Sequence, residues 1–346
     1  MRTLSLFAFV IGIELYAYQA LATIFPGSSI LPIIYFSITA ILIAAVLLFV
    51  NAGLKKRVNL PRGVLTGTFF MLFIPKLFTA ILLLGEDIVR LGKTLAMGIV
   101  HVAGNESFYL GTERSLVWSI ISVSIAGLLS LSFVYGALFN VYNYKVRKVN
   151  VKLMKLPKAF DGLKVVQISD IHSGSLTDKA AVQKAVEKIN SLHPDVIFFT
   201  GDLVNNLATE AVSFVDVFKH LQAPHGVYSV LGNHDYGDYA AWPSEESKQN
   251  NLNMLKKIHG EMGWRLLLNE HVKIEKDGEK IVVAGVENWS ASGRFHSYGK
   301  LDAALHGIQD AITVLLLSHD PSHWEAEILK HPAHVDLTFS GHTHGM

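Results

Sequence analysis

The sequence contains no cysteine. That absence excludes disulfides, thiolate-bound zinc, iron–sulfur clusters and a cysteine nucleophile, and it says nothing about compartment. An excess of either charge is also missing: 30 Lys and Arg face 29 Asp and Glu, for a formal net charge of +1. A nucleic-acid binder relying on bulk positive charge is excluded, and so is a disordered chain, because half of the residues are hydrophobic. No internal repeat or low-complexity tract is present. Charge itself is scarce in residues 1–144, which hold 9 Lys and Arg, 5 Asp and Glu, and only His101 of the 16 histidines. With a mean hydropathy of +0.34, the chain reads as a membrane domain over 1–144 and a His-rich soluble domain over 145–346.

Four apolar stretches reach the roughly 20 residues that a bilayer crossing takes. They are Leu4–Phe25, Ile30–Val50, Val64–Leu84 and Leu116–Phe139. The first carries Glu14 and the third carries Pro75-Lys76. An ion inside a membrane helix is by default a functional hypothesis, and pairing of Glu14 with Lys76 is the structural alternative. The first stretch is longer than a signal-peptide core and lacks a small-x-small cleavage pattern, so it reads as an anchor. Lys55, Lys56, Arg57 and Arg62 fall on the same side as Lys145, Arg147 and Lys148. The positive-inside rule then places the soluble domain in the cytoplasm. Beyond the last span, Val149, Val151 and Leu153 alternate with polar residues as in a half-buried strand; the adjoining Lys and Arg could also grip anionic lipid.

The soluble domain alternates strands and helices. Short apolar runs at Leu163–Ile168, Val196–Phe199, Val227–Leu231, Val314–Leu317 and Val335–Phe339 predict strands. Helices are expected after Thr177 as N-cap, over about 210–221, and over about 245–262, followed by a hairpin turning at Asp277-Gly278. Each of the five runs ends in a Gly- or Ser-flanked cluster of Asp, Asn and His: Ser169-Asp170-x-His172, Gly201-Asp202, Gly232-Asn233-His234-Asp235, Ser318-His319-Asp320 and Gly341-His342-x-His344. Any one of these could be a cap or an ordinary turn. Five in succession, all at the same end of a strand, converge on the sheet edge where α/β folds bind ligands.

Oxygen and imidazole donors without sulfur suit divalent ions such as Mn, Fe or Zn. Asp170, His172, Asp202, Asn233, His319, His342 and His344 are too many for one tetrahedral site, and they suit two ions if one carboxylate bridges. Two dications facing two carboxylates leave a positive site that attracts phosphate, and a water held between them is acidic enough to supply hydroxide at neutral pH.

This ordered set resembles the calcineurin-like metallophosphoesterase superfamily over residues 160–346. The apolar prefix, with Gly285-Val-Glu-Asn-Trp and Ser318-His-Asp-Pro-Ser-His-Trp324, is similar to its membrane-anchored bacterial branch. The resemblance implies a multi-pass α-helical membrane domain followed by an α/β metallophosphoesterase domain, two mixed β-sheets sandwiched by helices, in the bacterial inner membrane. It implies that Asp170, His172 and His344 hold one ion, that Asp202 bridges, and that Asn233, His319 and His342 complete the second. His234 is then no ligand but protonates the leaving oxygen, with Asp235 orienting its ring. Relatives usually continue for several strands beyond the position of His344, so the C-terminal strands are expected to be truncated here.

The expected activity is hydrolysis of a phosphodiester or pyrophosphate in a lipid-linked substrate, since the anchor holds the site near the bilayer. A phosphomonoesterase or protein phosphatase, and a non-catalytic membrane sensor, are the alternatives; no nucleic-acid partner is expected and the oligomeric state is left open. Trp289, Arg294, Phe295, Tyr298, His323 and Trp324 could shape a substrate pocket or simply pack their loops. His193, His220, His225, His259, His271, His306, His331 and His334 read as solvated turn or helix-face residues.

Overall fold

A computed structural model describes residues 2–50, 62–105, 107–308 and 312–344. The chain forms two compact units, Met1–Asn143 and Tyr144–Met346.

The first unit is a helical transmembrane region of four helices: α1 (Arg2–Ile24), α2 (Ile30–Val50), α3 (Arg62–Val102) and α4 (Leu116–Tyr135), with a wide turn at Gly136–Asn140 closing the last. Among the described residues, Gly67–Val102 and Leu116–Tyr135 are long and apolar enough to cross a membrane. Lys55, Lys56 and Arg57 lie outside the described residues. The third helix does not stop at Leu84, where the apolar run ends. It continues to Val102, 41 residues in all and about 60 Å at 1.5 Å per residue, because no breaker interrupts the amphipathic stretch after Gly85. Ser115 caps α4 by accepting from the Trp118 N–H at 3.2 Å, and the Glu86 carboxylate takes the Ser115 N–H.

Lipid offers no hydrophobic drive between helices, so small residues and polar contacts must hold them. Ala17, Ala20, Thr79, Ala80, Ser119 and Ser122 are buried between the helices. At the centre, Lys76 Nζ on α3 lies 2.9 and 2.8 Å from the two carboxylate oxygens of Glu14 on α1, and donates to Thr39 Oγ1 on α2 at 2.8 Å. Glu14 and Thr39 are buried. The paired reading of Glu14 is therefore the one the structure bears out, and three helices meet at one ion pair.

The second unit holds two four-stranded sheets. In the first, β1 (Val165–Ile168), β2 (Val196–Phe199), β3 (Val227–Ser229) and β4 (Trp264–Leu266) run parallel in sequence order. In the second, β5 (Glu270–Lys276) and β6 (Glu279–Gly285) form the antiparallel hairpin around Asp277-Gly278, and β7 (Thr313–Leu317) and β8 (Leu337–Phe339) add in parallel. Among the described residues, only the second sheet is mixed, where two mixed sheets were expected. The connecting helices are α5 (Lys179–Asn190), α6 (Thr209–Val212), α7 (Val215–Phe218), α8 (Glu245–Glu261), α9 (Leu301–Leu305) and α10 (Ser322–Ala326).

The period-2 alternation of strands explains the layers. Val196 and Phe198 of β2, Ile281 and Val283 of β6, and Leu315 and Leu317 of β7 fill the space between the sheets. The alternate residues Val282, Ala284, Val314 and Leu316 pack with Leu301, Ala304 and Leu305 of α9. Strands covered on both faces need unbroken apolar runs, which is why their sequences lack alternation.

Three local expectations are corrected. Residues 145–153 form no strand, and Val149 and Val151 are exposed; their alternation has no sheet edge to pair with among the described residues. Asp178, not Thr177, caps α5 by accepting from the Ala181 N–H at 3.0 Å. His259 is buried, because Leu255, Ile258, His259 and Met262 line the inner face of α8. Its ring meets Phe199 and Trp264, its Nδ1 lies 3.0 Å from Ser229 Oγ, and burial pushes its pKa down to about 3.

Two outcomes follow. Glu14→Ala should destabilise the transmembrane unit by about 3–5 kcal/mol by stranding Lys76, whereas Glu14→Met combined with Lys76→Met should recover most of it, as read by SDS unfolding in bicelles. His259 binds its proton only on unfolding, so its contribution is complete above the ordinary histidine pKa of about 6.5 and is lost as pH falls from there toward 3. Denaturant titrations of the solubilised full chain from pH 7 to 4 should therefore show a shallower acid loss for His259→Phe than for wild type, by at most about 1.4 kcal/mol per pH unit.

Candidate metal centre

The loops after β1, β2, β3, β7 and β8 meet at the carboxyl ends of the strands, and they carry all five Asp/Asn/His clusters. Their backbone is unusual. Among the described residues, eight non-glycine residues adopt positive φ, and five of them are Asp170, His172, Asp202, His342 and His344. Left-handed backbone is costly for residues with a Cβ and concentrates where side chains must be aimed. It is held by cross-loop bonds: the Asp170 N–H donates to the Gly201 carbonyl at 2.9 Å, and the His172 N–H to the Asp202 carbonyl at 3.1 Å. Two glycines allow this approach. A Cβ on Gly201 would stand 2.6 Å from the Gly232 nitrogen, and one on Gly232 would stand 2.3 Å from Asp202 Oδ1.

Asp202 sits at the centre, almost wholly buried. Its Oδ1 accepts the His234 N–H at 2.9 Å, while Oδ2 faces His319 Nε2 at 3.2 Å and His172 Nε2 at 3.7 Å. Burial raises its pKa, but the hydrogen bond and charge of His319 outweigh that and hold it low. His319 is buried too; its Nδ1 lies 2.7 Å from the Thr200 carbonyl, so Nδ1 carries hydrogen and Nε2 is the nitrogen left facing Asp202 and, at 3.1 Å, Asn233 Oδ1. Burial lowers its pKa, yet the Asp202 carboxylate more than reverses this and lifts it to about 9. His172 and His342 are held below the usual range, first by burial and then by neighbouring imidazoles, which keeps them in the neutral form that binds metals.

Three groupings place one ligand atom per residue within 4.8 Å of one another: Asp170, His172 and His344; His172, Asp202 and His234; and Asp202, His319 and His342. Asn233 joins the last through its contact with His319. All seven ligands expected from the sequence are thus brought together. The fit to cations rests on the donor set: carboxylate, carbonyl and imidazole lone pairs converge where Asp202, Asn233 and His319 offer each other at most one proton.

The expected partner of His234 is corrected. Its Nδ1 lies 2.7 Å from the Asn205 carbonyl, and that carbonyl orients the ring. Asp235 turns away and is fully buried. Its carboxylate accepts the N–H groups of Asp202, Leu203 and Gly232 at 2.9 Å and of Val204 at 3.3 Å. Burial, followed by the nearby Asp202 charge, raises its pKa to about 7 against the pull of these donors.

Of the aromatic loop residues, Phe295 reaches the site, with its ring 5.0 Å from that of His342. Tyr298 stacks on Tyr236 at 3.8 Å and donates to Asp238, Trp289 stacks on His323 at 4.4 Å, and Arg294 is exposed. His323 is buried between Ser318 Oγ at 2.8 Å and Glu327 Oε2 at 2.7 Å, where it braces the His319 loop. Trp324 packs against the helix-covered face of the second sheet. Sequence reasoning missed Thr200 and Asn205, which act through carbonyls and leave no side-chain signature, and Tyr239, whose hydroxyl accepts from Asn233 Nδ2 at 2.9 Å.

Residues 1–141 match the family model described as "Probable Calcineurin-like phosphoesterase, transmembrane domain", and residues 163–346 match the one described as "Calcineurin-like phosphoesterase". The chain is similar to the "Transmembrane protein with metallophosphoesterase domain" of Danio rerio, 29% identical over 74% of this chain and 55% of the relative. It is also similar to a metallophosphoesterase of Helicobacter pylori (strain ATCC 700392 / 26695), 31% identical over 58% of this chain and 48% of the relative. The metallophosphoesterase YkuE of Bacillus subtilis (strain 168) is 26% identical over 68% of this chain and 77% of its own length. The chain therefore spans about half the length of the first two of these. With the second match covering more than half of its residues, the chain belongs to the calcineurin-like phosphoesterase family.

Proposed function

We propose that this chain is a membrane-anchored phosphoesterase that uses two divalent ions, Mn, Fe or Zn, to hydrolyse a phosphodiester or pyrophosphate. The observation that carries the reading is the place of Asp202: it belongs to a grouping with His172 on one side and to a grouping with His319 and His342 on the other, as a bridging carboxylate must. Asp170, His172 and His344 would hold one ion, and Asn233, His319 and His342 the other. Bound there, the ions supply an acidified water as nucleophile and neutralise the charge of the phosphoryl group.

The chain's own groups do the rest. His234 keeps its Nδ1 hydrogen on the Asn205 carbonyl, so Nε2 is the nitrogen that gains and loses a proton. That supports His234 as the acid that would protonate the departing alcohol oxygen as its bond to phosphorus breaks. Asp235 is a positioning residue, because it fixes the backbone that carries Asp202 and Asn233. Lys145, Arg147 and Lys148 follow the last transmembrane helix, which favours the cytoplasmic face of a bacterial inner membrane for the soluble unit. Tethering at the bilayer favours a lipid-linked substrate.

Full-length protein stripped by chelator should hydrolyse neither a chromogenic phosphodiester nor its monoester. Reloading with Mn should restore diester turnover, and Asp202→Asn should abolish it. Preference for the monoester would replace the diesterase reading, and silence of a folded, Mn-loaded chain toward both esters would sink the enzymatic one. His234→Ala and Asp235→Ala should then fail differently. The first should lower kcat by about 10²–10⁴ with bound metal unchanged by elemental analysis. The second should lose metal and activity together, because four buried N–H groups lose their acceptor.

A further inference from the structure

Residues 145–152 belong to no sheet, so the interleaving of their valines with Lys and Arg needs another reason. Every residue from 143 to 152 is exposed. The chain joins the soluble core only from Leu153 onward. Leu153, Leu156 and Ala159 pack against the core between the sheets, Thr313 Oγ1 donates to the Lys155 carbonyl at 2.7 Å, and the Ala159 N–H donates to the Glu279 carboxylate at 2.6 Å. Before that point Val146, Val149 and Val151 are all exposed, Val149 to 81%. Met154, beside the first anchored residue, is 99% exposed. A spacer that only had to reach would be Gly- and Ser-rich or otherwise polar, and would not present apolar side chains to water.

The charge of the segment is one-sided. Lys145, Arg147, Lys148 and Lys152 are exposed, and no Asp or Glu lies between Glu113 and Asp161. Four cations within eight residues repel one another and have no acidic neighbour along the chain. An anionic bilayer surface answers both features. Phosphate headgroups meet the ammonium and guanidinium groups, while valine and methionine side chains enter the boundary between headgroups and acyl chains. Either signal alone attaches weakly, and the two together attach stably. Chain continuity names the surface. The last transmembrane helix ends at Tyr135 and its closing turn at Asn140, so Lys145 lies at most about 18 Å of extended chain beyond it, within about two Debye lengths.

We infer that residues 145–154 form a lipid-docking strip: Lys145, Arg147, Lys148 and Lys152 bind anionic phospholipid headgroups, and Val146, Val149, Val151 and Met154 insert beside them. The partner is the surface of the bilayer that holds the chain's own helices. The inference rests on the transmembrane region and not on the enzymatic reading, so it stands even if the soluble unit hydrolyses nothing. It gives these cations a ligand in the folded protein, beyond their part in setting orientation. It also makes the seating of this segment depend on lipid charge, which a tether of the same length would not.

The absence of cysteine allows a single nitroxide label at Val149→Cys in the full chain. The labelled protein is reconstituted in nanodiscs of phosphatidylcholine alone or of an equal mixture with phosphatidylglycerol, and read by electron paramagnetic resonance. In the anionic discs the label should collide more often with oxygen, which concentrates in lipid, than with a water-soluble nickel chelate. In the neutral discs that order should reverse. At about 1 M salt, where the Debye length falls to about 3 Å, the anionic discs should come to resemble the neutral ones. Replacing Lys145, Arg147, Lys148 and Lys152 with Gln should weaken the lipid-bound state by about 5-fold for each charge removed. The melting temperature should be unchanged, because all four side chains are exposed. A label that stays mobile and open to nickel in anionic discs would make the segment a solvated spacer and overturn the inference. Equal preference for oxygen in both discs, or in the Gln variant, would show that the tether alone places it and would remove the role given to the cations. A label shielded from oxygen and nickel alike would mean that a protein surface, not lipid, covers the strip.

Discussion

Asp235 has no contact with solvent, and its two oxygens gather four backbone N–H groups from the loops after β2 and β3. Those loops carry Asp202 on one side and Asn233 and His234 on the other. Backbone amides buried at strand ends have no ladder to join, so each must find an acceptor or cost free energy. One carboxylate meets the demand of both loops and fixes their separation. Asp202 then receives the His234 N–H, His319 is set by the Thr200 carbonyl, and His234 by the Asn205 carbonyl. The side chains of the candidate site are aimed largely by main-chain groups, and the main chain is held by Asp235 from within the protein.

This arrangement explains which parts of the site were legible. Asp170, His172, Asp202, Asn233, His319, His342 and His344 stand out as candidate ligands because oxygen and imidazole donors recur at five successive strand ends, which is hard to produce by chance. The resemblance implies that Asp235 orients the ring of His234, whereas its carboxylate is taken up by backbone N–H groups instead. In the tight turn after β3 the two side chains point opposite ways, one to the cleft and one into the protein. Thr200 and Asn205 act through carbonyls that every residue possesses, and no sequence signal distinguishes them. Tyr239 reaches Asn233 by a turn whose path composition does not encode.

The fold shows the same division. Doubly covered strands such as β2 and β7 are readable as short unbroken apolar runs, and the hairpin at Asp277-Gly278 follows from its turn dipeptide. His259 was not, because a histidine looks polar in sequence. On α8 it falls on the stripe with Leu255 and Ile258, and tertiary packing overrides its polarity. Val149 and Val151 failed in the opposite direction: alternation is a property of one chain, whereas a strand needs a partner edge. In the transmembrane unit hydropathy locates the crossings but not the continuation of α3, since a helix outlasts its apolar run when nothing breaks it.

Strain and charge together set the energetic character of the metal centre. Five residues there hold left-handed backbone, at a cost of about 1–3 kcal/mol each, and their side chains crowd lone pairs and carboxylate charge into one place. The two-sheet core beneath supplies stabilisation through Phe198, Ile281, Val283, Leu315 and Leu317. It cannot remove the mutual repulsion of the donors, which only protons or cations can do. His319 expresses that demand when it binds a proton well above the ordinary imidazole range, next to Asp202. A cation taking that proton's place would be attracted by the same field and would displace hydrogen from the site, so ion binding and the local order of the five loops are linked. The loops are accordingly built from short, heavily cross-bonded turns on strand ends, a geometry that keeps the donor groups assembled.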